Sequence, residues 1–151
     1  MNIALFDADY LNFVEFNITG DNDDFHRCDS ESKYLDAEVF NLFQKCFENA
    51  GKTYDYFAGT RYNSRTIIVL RNELASMLET LQAINSRDAF ISFVNSRFLG
   101  RDFFLSLEAA DPDYQENWRS HLNSISQVLR DLIELVEKCA FEERILWVIG
   151  Y

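Results

Sequence analysis

The spacing of hydrophobic residues along the chain changes period several times, and each change predicts an element. Residues 2–6 (NIALF) form a short continuous apolar run, and residues 11–18 are rich in β-branched and aromatic side chains. Two strands are predicted there, with a turn near Asp9 and Tyr10. Residues 19–31 (TGDNDDFHRCDSE) have the Gly, Asn, Asp and Ser content of a surface loop. A helix is predicted next, with Ser32 as its N-cap, apolar stripes at Leu35, Val39, Leu42 and Cys46 and at Phe43 and Phe47, and Gly51 as its stop.

Residues 53–58 (TYDYFA) alternate like a strand. Asn63 and Ser64 then cap a helix carrying Ile67, Leu70, Leu74, Met77, Leu78, Leu81 and Ile84, although its first turns, 66–70, also read as strand. A shorter helix is predicted from Ser86 to near Gly100, with Phe90, Phe93 and Val94 inward, and 102–108 fits either state. Asp111-Pro112 reads as a capping carboxylate before a first-turn proline, with Asp113 and Glu116 complementing the helix dipole.

Beyond it Trp118, Leu122, Ile125, Leu129, Leu132, Val136 and Cys139 recur at four- and three-residue steps. That seam suits a coiled-coil strip or, more commonly in a chain of this size, a bundle helix facing a core. Glu134 and Lys138 hold the favourable i,i+4 order. Residues 144–149 (RILWVI) close the pattern as a strand. The expected fold is α+β and predominantly helical, a single domain over residues 1–151 in which N-terminal and C-terminal strands form a small sheet packed on a helix bundle.

Composition sharpens this picture. One Pro and five Gly leave few turns, and 48% hydrophobic residues with 14 Phe supply a core rather than a disordered acidic tail. Three scattered cysteines without a CxxC pair fit a reducing compartment, and no segment reads as a signal peptide or membrane span, so a cytoplasmic location is expected. The formal charge of −11 is uneven: residues 1–60 carry 12 Asp and Glu against 4 Lys and Arg, residues 61–108 carry 5 against 6, and residues 109–151 carry 8 against 4. Such a balance disfavours nucleic-acid or membrane binding and favours a basic protein partner.

Candidate chemistry begins at Asp7 and Asp9. The segment IALFDAD resembles the opening of haloacid-dehalogenase-type phosphotransferases, which implies a nucleophilic Asp7, an acid/base Asp9 and Mg²⁺ between them. The family's further Ser/Thr, Lys and acidic pair have no assigned counterparts here, and the same holds for the additional acids of PIN-like nucleases. A Mg-dependent phosphatase or nuclease is therefore the third reading. Asp21, Asp23, Asp24, Asp29 and Glu31 fail the EF-hand pattern, because Phe25 stands at its fifth position. His26 and Cys28 lack two further ligands, and no Ser/His/Asp triad or phosphate loop is present, so no enzyme, metal or cofactor is expected. Tyr34, Tyr54, Tyr56 and Tyr62 near the acidic segment suit either a strand and helix face or a surface that grips arginine and lysine.

In size, acidity and lack of a catalytic motif the chain resembles immunity proteins of bacterial contact-dependent growth-inhibition systems. The resemblance implies an inhibitor that binds a basic toxin domain, such as a nuclease. Its expected contacts are Asp21, Asp23, Asp24, Asp29 and Glu31, with Asp111, Asp113 and Glu116 as a second patch. The alternative is a helical regulatory module that forms a homodimer or docks a helix through Trp118 to Cys139.

Overall fold

The longest apolar seam in the sequence becomes the longest helix. In the computed structural model, which describes residues 1–6, 12–51, 54, 55 and 58–151, it forms α6, Trp118–Phe141. The elements before it are β1 (Phe13–Asn17), β2 (Lys33–Asp36), α1 (Ala37–Asn41), α2 (Gln44–Ala50), β3 (Thr60–Tyr62), α3 (Thr66–Gln82), α4 (Arg87–Asn95) and α5 (Gly100–Ala110). The strand β4, Leu146–Gly150, follows α6. Leu122, Ile125, Leu129, Leu132, Val136 and Cys139 are buried within the chain, where α6 packs chiefly on α3. The seam is thus a bundle helix within the chain, with Trp118 half-buried at its start. Arg71 of α3 clamps Glu137 of α6 at 2.9 Å on the rim.

The sheet is antiparallel with order β2-β1-β4-β3, so strands from the two ends of the chain form its central pair. This is the expected α+β architecture. Alternation in β1 gives the sheet two different faces. Val14 and Phe16 point into the helices, where the Phe16 ring meets Phe40 and Phe47 at 6.2 and 6.0 Å. Leu35, Val148 and Tyr62 continue this side, and Tyr62 donates its hydroxyl to Phe47 O at 2.8 Å. Glu15 and Asn17 point the other way and are nevertheless fully buried.

Several local expectations change. Of residues 2–6, only Phe6 joins the sheet, through a single bridge to Tyr34. Ser32 caps no helix: residues 33–36 form β2, since Tyr34 and Leu35 each have a different face of the sheet to fill, and the helix splits into α1 and α2. The strand expected at 53–58 falls partly outside the described residues, and the observed strand is β3. Helix α3 settles 66–70 as helical, with the Asn63 carboxamide oxygen accepting from Arg65 N and Thr66 N. Ser86 does cap α4, accepting from Ala89 N.

Gly100 opens α5 rather than closing α4, because a Cβ there would stand 1.9 Å from Val94 O. Residues 102–108 are helical within it. Asp111-Pro112 does not start α6. Asp111 is the C-cap of α5, residues 112–116 are turn, and the helix begins at Trp118. The short Asp side chain has turned to the local N–H of Asp113 instead of a helical one.

Candidate functional site

The outward positions of β1 explain why an acidic loop lies against the sheet. Asn17 accepts from Thr19 N and Gly20 N at 3.2 and 2.9 Å, and its Nδ2 donates to His26 O at 2.9 Å. Two residues earlier, the Glu15 carboxylate accepts from Cys28 N at 3.0 Å, Ser32 Oγ at 2.7 Å and Tyr151 Oη at 2.7 Å. One strand therefore fastens residues 19–32 at both ends and in the middle. Burial and the neighbouring Glu15 charge push the Tyr34 hydroxyl up to about 12, and burial followed by the Glu15 hydrogen bond raises Tyr151 as well. Both phenols stay protonated, and Tyr151 thereby remains a donor to Glu15.

An aromatic contact completes the attachment. Phe25 lies 4.8 Å from the Trp147 ring, whose Nε1 donates to Asp21 O at 2.9 Å. Gly20 makes this fit possible, since a Cβ would meet Phe25 Cβ at 2.7 Å and Trp147 Cδ1 at 2.8 Å. Arg61 also donates to Asn22 O.

With its backbone held, the loop turns its carboxylates outward. Asp21, Asp23, Asp24 and Glu31 are exposed and Asp29 is half-buried. Asp21 accepts from Asp23 N and Asp24 N at 2.8 and 2.9 Å, and these backbone hydrogen bonds lower its pKa. Asp24 and Asp29 accept from Phe25 N and Glu31 N. Asp23 has no side-chain partner among the described residues, and Glu31 has only a 3.8 Å approach from Arg144. Asp21, Asp24 and Asp29 line a cleft of about 340 Å³ with Phe25 and His26. This arrangement suits recognition of cationic side chains.

The second patch differs. Asp111 Oδ2 accepts from Asn117 Nδ2 at 3.0 Å and meets His121 Nε2 at 2.8 Å, and its pKa is lowered first by Asn117 and then by His121. Its carboxylate is occupied in fixing the α5–α6 turn, while Asp113 and Glu116 are exposed. The two patches do not meet. Asp111 is tied to the start of α6 through Asn117 and His121, whereas the loop packs beside Arg144 and Trp147, just past that helix's other end. A 24-residue helix is about 36 Å long.

Tyr34 and Tyr62 are buried and are part of the packing rather than the surface, and Tyr56 lies outside the described residues. Asp7 and Asp9 also lie outside them. Among the described residues no group of three or more His, Cys, Asp or Glu side chains is placed to hold a metal, and no helix is long and apolar enough to cross a membrane. Glu15, Asn17 and Trp147 also belong to the site, though no motif singles them out. The signal for two of them was the alternation Val14-Glu15-Phe16-Asn17. No protein-family model, curated protein or solved structure matches the chain.

Proposed function

We propose that this chain is an inhibitor of the immunity-protein type, binding and neutralising a basic toxin domain such as a nuclease. The observation that carries the reading is the loop of residues 19–31, where five carboxylates stand against one arginine on a backbone tied to the sheet by Glu15 and Asn17. A nuclease concentrates positive charge in its cleft to hold phosphates. A fixed array of opposite sign is drawn to such a cleft from a distance and loses little conformational freedom on docking. Asp21, Asp23 and Asp24 make the first contacts, with Asp29 and Glu31 behind them. Asp113 and Glu116, at the far end of α6, serve only a partner large enough to span it.

Neutralisation tests this reading. Co-expressed with the polypeptide encoded beside it, the chain restores growth and binds that polypeptide. The triple variant Asp21→Lys, Asp23→Lys, Asp24→Lys fails to do either while remaining folded. Full protection by the triple variant would refute the acidic-loop mechanism, and absence of any protection would refute the inhibitor reading.

A further inference from the structure

The nearly neutral middle of the chain contains a cation held in place without an internal reason. Arg97 follows the C-cap of α4, and its guanidinium lies over the Phe93 ring, 4.4 Å from the centroid. Its Nε is sealed from solvent and lacks an acceptor, and among the described residues the guanidinium makes no ion pair or hydrogen bond. Such isolation is notable in a chain with 25 acidic residues. The nearby carboxylates are engaged elsewhere: Glu48 accepts from Gln44 and Lys45, and Glu73 from Asn49.

Clefts of about 200 and 260 Å³ open on the two sides of this arginine, and Lys45 and Arg97 line both. Phe98, which also lines the larger cleft, is 55% exposed. The corner that presents it is rigid. Leu99 is held at a left-handed φ of 49°, and Gly100 packs directly on Val94 O, where no side chain fits. Backbone strain of this kind costs about 1–3 kcal/mol and persists only where surrounding packing enforces it.

We propose that Arg97 anchors a binding site for a small monocarboxylic acid whose apolar body rests on Phe98. Stacking on Phe93 fixes the plane of the guanidinium, leaving its terminal nitrogens as a preset fork for a carboxylate. Volume sets the size, since clefts below about 300 Å³ are smaller than typical sites for drug-sized ligands and nucleotides. Charge sets the valence. Lys45 is paired with Glu48 and Arg97 has no ion-pair partner among the described residues, so its single positive charge matches a monoanion, while Glu73 in the same cleft opposes a dianion. Cys46, at the base of the smaller cleft, adds no charge, because burial pushes its thiol up to about 12. The site is independent of the acidic loop and of the inhibitor reading.

The experiment titrates 3-phenylpropionate into the whole chain and follows the backbone amide resonances of Ser96 and Leu99, with the Arg97 Nε–H resonance where arginine is present, at constant ionic strength. A saturable shift is expected, reproduced more weakly by acetate and not by inorganic phosphate or the uncharged 3-phenylpropanol. Arg97→Lys should weaken binding about tenfold or more, the loss of one charge-assisted hydrogen bond. Phe98→Ser changes an exposed side chain and leaves the fold alone; it should weaken 3-phenylpropionate towards acetate. A shift that never saturates, that phosphate reproduces, or that persists unchanged in both variants would overturn the site and leave Arg97 simply hydrated.

Discussion

Replacing Glu15 with alanine should release the acidic loop while leaving the helical core closed. The carboxylate is 0% exposed and serves three donors. Tyr151 is 37% exposed, so its hydroxyl finds water once Glu15 is gone. The Ser32 hydroxyl is 1% exposed and the Cys28 N–H is partly buried, so these two are left without an acceptor. Each stranded donor costs about 1–3 kcal/mol. Removing a buried charge returns some desolvation energy and the vacated volume admits water, which together bring the net to the lower end, about 2 kcal/mol. That corresponds to roughly thirtyfold faster opening of the loop. Amide hydrogen exchange under native conditions measures it directly, with Cys28 as the reporter and Leu129 in the middle of α6 as the reference. Cys28 should accelerate and Leu129 should not. Glu15→Gln, which keeps the volume and one good acceptor, should fall between wild type and alanine. Unchanged exchange at Cys28, or equal acceleration at both amides, would refute the idea that Glu15 is a local fastener.

The other expectations concern the same attachments and the opposite end of α6. Asn17→Ala should cost about 1–3 kcal/mol in urea unfolding, since Gly20 N and Thr19 N lose their acceptor. Gly20→Ala should separate Phe25 from Trp147, seen as a red shift and quenching of tryptophan fluorescence. The Asn117 and His121 hydrogen bonds hold the Asp111 carboxyl below the usual carboxylate range, so this pairing stabilises the fold above the unfolded carboxylate value, and the contribution is lost as pH falls through the depressed pKa. Thermal melting followed downward from pH 5 should therefore drop less steeply in Asp111→Asn than in wild type. Raised salt should slow association of the acidic loop with a cationic partner more than it speeds dissociation.

The elements most legible in the sequence were those whose pattern repeats over many residues. Helix α6 and helix α3 follow from long 3.6-residue periodicity, and β4 from its apolar run. Short segments were decided by contacts with residues distant in sequence. Tyr34 and Leu35 lie in a stretch with helical spacing, yet β1 offers Glu15 and Val14 as antiparallel partners, and pairing overrides propensity. Asp111-Pro112 carried a helix-start signature, but Asn117 and His121, residues on a different turn, claimed the carboxylate. The acidic loop was visible by composition. Its underside was not, because Glu15 and Asn17 acquire their roles only when residues up to 136 positions away fold over them.

The central pairing of β1 with β4 imposes an order on folding. Asn17 and Trp147 are neighbours in the sheet and 130 positions apart in the chain, so a ribosome must deliver helices α1 to α6 before the sheet can close. Contacts of such long range are entropically late and slow. The loop of residues 19–31 is synthesised before any of these helices, yet it cannot acquire its final shape until Trp147 and Tyr151 arrive. A nascent chain therefore carries that loop's negative charges in an unshaped form until β4 has emerged.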